Sequence, residues 1–268
     1  MIHSLNGTLV PADDSRLDPR DRGFTLGDGL FETIAVVHGE ARWLDRHLNR
    51  LRDGLGRLGI VDAPTDSALT AAVRDVIVAN DLADGVLRLS ISRGPGGRGL
   101  DTGEAGPPTT LIVPSATRPR IDAVGAVVSS EVRRNERSPS AGLKSLSYLD
   151  NVLARQEARR RGAEEALLLN TRDRIAESTI ANVVAVSGGY AVTPPLDDGP
   201  LPGVARGILV DEGLVRVGSL SLDDVKRADA VILTNSLAIR RLARLDDTAF
   251  DDDAEAVLGR FRTALAAA

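Results

Sequence analysis

Apolar residues in this chain follow two different periods, one typical of strands and one typical of helices. Strands are predicted where apolar residues alternate with polar ones or form short runs, and helices where they recur every three or four positions. The helical period is clearest between Asp45 and Gly59, where one face would carry Leu48, Leu51, Leu55 and Leu58. Asn6-Gly7 is a strong hairpin-turn signal between two short apolar segments.

The same pattern predicts a mixture of strands and helices along the whole chain. Strands are predicted at residues 2–5, 8–10, 31–37, 41–44, 85–93, 109–113, 125–132, 166–169, 180–186, 190–192 and 230–233. Helices are predicted at residues 45–59, 65–82, 146–161, 204–213 and 251–267. Polar, glycine-rich residues 11–29 and 94–108 are predicted to form loops. Because the elements do not alternate as regular βαβ units, an α+β fold is favoured over a doubly wound one.

A chain of 268 residues is long enough for one large domain or two smaller ones. The segment from Pro114 to Val124 resembles a linker, so we predict a domain boundary there. The predicted division is a smaller N-terminal α/β domain at residues 1–115, a linker at 116–124 and a larger C-terminal α/β domain at 125–268. With 43% apolar and 26% charged residues, the composition is that of an ordinary globular protein.

Composition also excludes several kinds of chemistry. The chain has no cysteine, which excludes disulfides, thiol nucleophiles and cysteine-bound zinc. With only three histidines, a histidine-rich metal site is not expected. The net charge of −5 does not indicate a nucleic-acid partner. Since no signal-like or membrane-spanning apolar run is found, we expect a soluble, cytoplasmic protein without a membrane partner.

Lysine is rare in this chain, which makes each lysine a candidate for chemistry. Of 33 basic residues, only Lys144 and Lys226 are lysines, a bias that GC-rich coding could also produce. Lys144 lies just before a predicted helix, and most lysines in such places are simply exposed. However, its neighbours Leu146 and Tyr148 are compatible with a side chain that points into a site. A desolvated lysine amine has a lowered pKa and can attack a carbonyl carbon.

Other charged and polar positions are compatible with anion binding. Glu177 is either a turn carboxylate that caps backbone amides or a buried acceptor for a protonated ring nitrogen. Arg50 shares a helix face with His47, and is either part of an exposed polar stripe or a phosphate ligand. Segment 201–206 begins a helix after a glycine, which is typical of an anion site. The same holds for residues 234–236, where a predicted buried strand ends in polar residues that could bind an anion.

The loop at residues 93–99 contains the pattern G-x-G-G-x-G, but this is not a dinucleotide-binding motif. A strand follows it, whereas that motif requires a helix. Its two arginines suit either an anionic substrate or solvent. Arg88 interrupts an apolar strand, so it either faces solvent or faces inward and needs an anion.

Five ordered motifs resemble those of a known family. They occupy residues 21–33, 47–51, 144–151, 177–182 and 201–206, within a resemblance that covers about residues 1–240. The family is that of the class IV aminotransferases, the fold type IV enzymes that depend on pyridoxal 5′-phosphate (PLP). It includes branched-chain aminotransferases, D-amino acid aminotransferases and 4-amino-4-deoxychorismate lyases. The resemblance implies the two-domain D-amino acid aminotransferase-like architecture.

The resemblance also implies roles for individual residues. Lys144 matches the lysine that forms the Schiff base with PLP and then shuttles the α-proton. Glu177 matches the carboxylate that keeps the pyridine nitrogen protonated, which makes the ring a better electron sink. Contacts with the cofactor phosphate are implied for Arg50, Val204, Ala205, Asn235 and Ser236. The family forms homodimers in which partner loops line the substrate pocket.

The substrate is harder to derive from this resemblance. Phe31 stands where some relatives have a tyrosine, and Leu100 stands where D-amino acid aminotransferases have a histidine and the lyases an aromatic residue. Arg22, Arg88 and Arg98 together suggest a trap for carboxylates. This favours transfer of an amino group between a D-amino acid, such as D-alanine or D-glutamate, and a 2-oxo acid. The alternative is a 4-amino-4-deoxychorismate lyase that releases pyruvate and 4-aminobenzoate, followed by a branched-chain or amine aminotransferase.

Overall fold

The chain folds into two compact units. The computed structural model describes residues 1–103, 105–116, 123–250 and 255–268. The N-terminal unit comprises Met1–Pro119 with Leu143–Ser147, and the C-terminal unit comprises Arg120–Gly142 with Tyr148–Ala268. Residues 117–122 of the predicted linker and 251–254 of the last predicted helix lie outside the described residues.

One short segment differs from the predicted domain division. Residues Leu143–Ser147, expected in the C-terminal domain, belong to the N-terminal unit. The reason is backbone pairing: the Phe31 N–H donates to the Lys144 carbonyl, and the Leu146 N–H donates to the Gly29 carbonyl, each at 2.9 Å. The Leu143 side chain also packs against the hydrophobic core of that unit. Lys144 is therefore positioned by strand residues that lie more than a hundred positions earlier in the sequence.

The N-terminal unit is a six-stranded sheet with helices, as far as its described residues extend. The strands are β1 (Ile2–Leu5), β2 (Thr8–Pro11), β3 (Gly29–Val37), β4 (Glu40–Ala41), β5 (Gly85–Ser92) and β6 (Thr109–Ser115). The helices are α1 (Arg22–Leu26), α2 (Leu44–Leu58) and α3 (Asp66–Ala79). The sheet order is β2-β1-β6-β5-β3-β4, with antiparallel neighbours.

Burial of one helix face explains the position of α2. Three of the four predicted leucines, Leu48, Leu51 and Leu55, are buried with residues of β3 and β5 in one core cluster. Burial of such side chains contributes roughly 1.5–3 kcal/mol each. The helix ends at Gly59, whose φ of 66° is left-handed and suits a residue without Cβ.

The C-terminal unit contains the remaining elements. Its strands are β7 (Val124–Val128), β8 (Glu165–Leu169), β9 (Ile175–Ser178), β10 (Asn182–Ser187), β11 (Tyr190–Thr193), β12 (Arg216–Val217), β13 (Ala230–Thr234), β14 (Ile239–Leu245) and β15 (Thr248–Ala249). Its helices are α4 (Leu149–Arg160), α5 (Val204–Asp211), α6 (Leu222–Lys226) and α7 (Glu255–Ala267). In this described part, the strands form one sheet in the order β12-β11-β10-β13-β14-β7-β8-β9, with β15 against β14.

Several local predictions were wrong, for identifiable reasons. The predicted loop at 11–29 contains the short helix α1, which Asp21 caps by accepting a hydrogen bond from the Gly23 N–H at 2.8 Å. Strand β9 was missed because its two polar residues, Glu177 and Ser178, resemble turn residues although both are buried. Strand β14 was missed because three arginines hide its apolar positions. The α+β fold itself is confirmed, and no helix in the described ranges is both long and apolar enough to cross a membrane.

Candidate active site

In the N-terminal unit, Lys144 lies beside an aromatic ring. Its Nζ is 4.3 Å from the centroid of the Phe31 ring, and the lysine itself is half-buried. Its backbone is held against the start of β3, where the backbones of β3 and β5 approach each other closely. A Cβ on Gly29 would lie only 2.4 Å from the Ile91 carbonyl oxygen, so this position requires glycine. The segment that carries Lys144 is thus fixed by backbone geometry.

Arg88 contacts the same ring. Its guanidinium carbon is 3.7 Å from the Phe31 centroid, a distance typical of cation–π contacts. On the paired strands Phe31 lies opposite Ser90 and Thr33 opposite Arg88, so Arg88 reaches the ring diagonally. The sequence left the direction of Arg88 open; it is exposed, whereas Phe31 is buried. Phe31, Arg88 and Lys144, here called the Phe31 cluster, therefore bring a guanidinium and an amine to one ring.

Arg50 is held by a buried carboxylate that the sequence analysis did not single out. Glu32, 1% exposed, accepts hydrogen bonds from Arg50 Nε at 2.8 Å and Arg50 Nη2 at 2.5 Å. Its Oε2 also lies 2.7 Å from His47 Nδ1. Burial alone would raise the pKa of Glu32, but hydrogen bonds from His47 and Arg50 lower it to about 2. A glutamate within the apolar strand β3 was the available signal, by the same reasoning that singled out Arg88.

Arg22 has partners different from the expected substrate carboxylate. It is 4% exposed, and its Nε donates to Asp28 at 2.9 Å. Its other nitrogens donate at 3.2–3.3 Å to the carbonyls of Gly99, Leu100 and Asp101. The guanidinium is therefore committed to the backbone of the loop that follows Arg98. Arg98 itself is exposed and lines a cavity of about 790 Å³ together with Leu26 and Leu100.

In the C-terminal unit, Glu177 lies on β9 and is 8% exposed. Its Oε1 accepts a hydrogen bond from Arg134 Nε at 2.7 Å, and its Oε2 accepts one from the Leu201 N–H at 3.0 Å. It is thus a buried strand residue, not a turn carboxylate. Sequence reasoning missed Arg134, because no residue near it in the chain indicates that its side chain would contact β9. A carboxylate fixed on both oxygens is suited to hold a protonated ring nitrogen.

The start of α5 is built to receive an anion. Its N-cap is Gly203, and no side chain caps the helix, so the first N–H groups, including those of Val204 and Ala205, have no intrahelical partner. A Cβ on Gly203 would lie 1.9 Å from Asn182 Oδ1, so a side chain does not fit there. Free N–H groups at a helix start form a ready anion site.

A buried hydroxyl lies on the strand that pairs with Asn182, the residue that touches this helix start. Asn182, which touches Gly203, donates through Nδ2 to the Leu201 carbonyl at 2.8 Å and pairs with Thr234 across β10 and β13. The Thr234 hydroxyl is buried and finds no hydrogen-bond partner among the residues the structure describes. Asn182, Gly203, Val204, Ala205 and Thr234, here called the anion cradle, fit the phosphate of PLP. Leu201 connects the cradle to Glu177 through its own N–H and carbonyl.

Asn235 and Ser236 follow Thr234 in a turn. The Asn235 side chain donates to the Ile180 carbonyl at 3.1 Å and accepts from the N–H groups of Leu237 and Ala238. The Asn235 N–H donates to the Ala238 carbonyl at 3.0 Å. Asn235 thus shapes the turn that presents half-buried Ser236. Thr234, to which the sequence analysis gave no role of its own, carries the orphaned hydroxyl.

The chain is similar to known proteins of one family. The family model described as amino-transferase class IV matches residues 29–244. A putative branched-chain-amino-acid aminotransferase of Methanocaldococcus jannaschii is 32% identical over 87% of this chain and 84% of its own length. The aminodeoxychorismate lyase of Bacillus subtilis is 32% identical over 87% of this chain and 82% of its own length. D-alanine aminotransferases also match, one from Bacillus licheniformis at 27% identity over 87% of this chain and 84% of its own length.

Solved structures agree with the same assignment. A putative 4-amino-4-deoxychorismate lyase of Legionella pneumophila superposes with a TM-score of 0.89 at 29% identity, covering 96% of each chain. The predicted fold type IV architecture is therefore confirmed, and the prediction of a PLP-dependent enzyme is confirmed at the level of the family. These names cover both transaminases and lyases, so they define a family and not one reaction. The chain belongs to the class IV aminotransferases.

Proposed function

We propose that this chain is a PLP-dependent transaminase that moves an amino group between an amino acid and a 2-oxo acid. The proposed amino donor is a D-amino acid such as D-alanine or D-glutamate. The observation that carries this proposal is the Phe31 cluster, in which Arg88 and Lys144 contact one ring. A substrate whose carboxylate binds Arg88 has its amino group only one carbon farther along, toward the Lys144 amine.

The roles of the site residues follow from their chemistry. PLP, when bound, supplies an electron sink for negative charge at the substrate α-carbon. Lys144 is the proposed catalytic base, whose Nζ takes the proton from that carbon. Glu177 holds the protonated ring nitrogen, since both its oxygens are fixed by Arg134 and Leu201. The anion cradle holds the phosphate, with Ser236 and Arg50 as further proposed ligands, and Arg98 is proposed to contact the substrate.

A second candidate function is 4-amino-4-deoxychorismate lyase. The 32% identity to the Bacillus subtilis lyase favours it, as does the similarity to the Legionella pneumophila structure. The lyase reaction needs the same base and electron sink but a substrate with two carboxylates. The D-alanine aminotransferase relatives and the exposed Arg98 support the first proposal. We also propose that the enzyme acts as a homodimer in the cytoplasm. Light scattering on the purified protein measures its mass and so tests the homodimer.

The test is a half-reaction with the PLP-loaded protein. D-alanine, D-glutamate and their L-enantiomers are added separately, and the visible absorbance of the cofactor is followed without a 2-oxo acid. Rapid bleaching with the D-forms is the expected result. Bleaching with the L-forms alone would overturn the D-preference in favour of a branched-chain enzyme. If none of the four causes bleaching, 4-amino-4-deoxychorismate is added, and release of pyruvate and 4-aminobenzoate would establish the lyase.

A further inference from the structure

Arg50 belongs to a buried network with Glu32 and His47. Glu32, His47 and Arg50, here called the Glu32 network, join β3 to α2. His47 and Glu32 are 0% and 1% exposed, and the Arg50 side chain is 12% exposed. A buried carboxylate is costly unless its oxygens are satisfied, and here both oxygens accept hydrogen bonds.

The ion pair fixes the orientation of the Arg50 guanidinium. Nε and Nη2 lie on one edge of that planar group, and both donate to the carboxylate of Glu32. Because the five N–H donors form a rigid fork, fixing one edge fixes the direction of the others. A long arginine side chain would otherwise lose rotamer freedom when it binds an anion. The pair therefore removes a cost that binding would have to meet.

His47 completes the arrangement as a neutral donor. Burial lowers the pKa of His47, despite the hydrogen bond to Glu32, and the positive charges of Arg50 and Lys144 lower it further. The ring is thus neutral at pH 7, and its Nδ1–H donates to Glu32. His47 Nε2 is then an acceptor, and it has no partner within the described part of the chain. His47 adds a restraint on Glu32 without adding charge.

We propose that Glu32 and His47 are positioning residues that hold Arg50 in the one orientation in which it binds the phosphate of PLP. This proposal rests on the proposed function, since it takes PLP as the ligand. A purely structural ion pair would stabilise the unit without distinguishing phosphorylated from unphosphorylated ligands. A positioning pair makes affinity for the phosphate depend on Glu32, although Glu32 itself repels an anion.

The test compares PLP with pyridoxal, which lacks the phosphate. Dissociation constants of both are measured by absorbance titration of the cofactor-free protein. In Glu32→Gln, we expect PLP to bind roughly 10–100-fold more weakly, the same range as the loss of a residue that orients a metal ligand. Pyridoxal affinity should stay unchanged. His47→Asn keeps a donor near the Nδ1 position and should retain PLP affinity, whereas His47→Leu should lose it.

A matched control uses another buried carboxylate. Glu157, 2% exposed, accepts hydrogen bonds from Ser129 and Ser130 in the C-terminal unit. Glu157→Gln should leave the ratio of PLP to pyridoxal affinity as in the wild type. If Glu32→Gln does not fold, Glu32→Asp replaces it, since it keeps the charge but retracts the oxygens; an intermediate loss of PLP affinity is then expected.

Three results would overturn the proposal. These are an equal loss of PLP and pyridoxal affinity in Glu32→Gln, no loss of either, or tighter PLP binding, which would mean that repulsion by Glu32 outweighs its positioning effect. The proposed function fails in a different way. In that case the PLP-loaded wild-type protein would show no bleaching with the D-amino acids in the half-reaction, whatever the ratio of PLP to pyridoxal affinity in Glu32→Gln.

Discussion

In the N-terminal unit the candidate site consists of charged side chains that hold one another. Glu32 binds Arg50 and His47, Asp28 binds Arg22 and Arg93, and Arg88 shares the Phe31 ring with Lys144. In the C-terminal unit the corresponding groups are mostly backbone amides at the start of α5, one buried hydroxyl and a glycine. Apart from Glu177 and its partner Arg134 in the C-terminal unit, the charged side chains of the candidate site therefore lie in the N-terminal unit, and preorganised dipoles dominate in the other.

This difference separates two kinds of contribution. Side-chain charges can be tuned by single substitutions and respond to pH, whereas backbone donors keep their positions regardless of pH. Variants of the charged side chains in the N-terminal unit should therefore be able to change pH dependence, whereas variants at the anion cradle should change packing and phosphate affinity without changing pH dependence. The following predictions test that distinction.

The largest effect is expected from Lys144→Ala. Loss of the proposed base should lower the half-reaction rate by about 10²–10⁴-fold. Lys226→Ala is the matched control, because Lys226 is the other lysine of the chain and lies at the end of α6. Borohydride reduction followed by peptide mass spectrometry should find the cofactor attached to residue 144 in the wild type. Cofactor on Lys226, or full turnover by Lys144→Ala, contradicts the assignment.

Acid stability should depend on Glu32. Its folded-state pKa of about 2 lies below the unfolded value of 4.5, so its contribution is complete above pH 5 and is lost as the pH falls toward 2. The size is about 3 kcal/mol, at 1.36 kcal/mol per pKa unit. Urea unfolding at several pH values should therefore show a flatter acid limb for Glu32→Gln than for the wild type.

The control for this measurement is an exposed ion pair. Glu131 pairs with Arg160 at 2.6 Å, and both side chains are more than half exposed. Pairs of this kind contribute about 0–1 kcal/mol. Glu131→Gln should therefore keep the acid limb of the wild type. An acid limb in Glu32→Gln as steep as that of the wild type would mean that the Glu32 network does not stabilise the fold.

In the C-terminal unit, Gly203→Ala tests the anion cradle. The added Cβ must displace Asn182, which breaks the hydrogen bond from Asn182 to Leu201, and overpacking of this kind costs about 2 kcal/mol. PLP affinity should fall together with stability, and the pH dependence should be unchanged. Gly259→Ala is the control: a Cβ on Gly259 in α7 meets nothing within 4 Å, so it should be neutral or slightly stabilising. Unaltered PLP affinity in Gly203→Ala would contradict the cradle.

The sequence singled out residues in both parts of the candidate site and missed contacts in both. Lys144 stood out because lysine is rare, and Arg88 because its strand is otherwise apolar. The helix of α5 could also be predicted, since Gly203 precedes an apolar run. The orphaned hydroxyl of Thr234 could not, because it depends on pairing between β10 and β13. The contacts of Arg22 could not be predicted either, since backbone carbonyls of a distant loop leave no trace in the residue types.

That loop provides the smallest of these predicted effects. Arg22→Ala removes three hydrogen bonds to the carbonyls of residues 99–101 and leaves Asp28 paired with Arg93. We expect a loss of about 1.5 kcal/mol in the free energy of unfolding, together with faster proteolysis of the loop. Arg20→Ala is the control, because its pair with Asp18 is exposed and should contribute within about 0.5 kcal/mol. If Arg22 instead bound substrate directly, Arg22→Ala would raise KM and leave the protease resistance of the loop unchanged. Limited proteolysis and steady-state kinetics, measured on the same variant, separate the two roles.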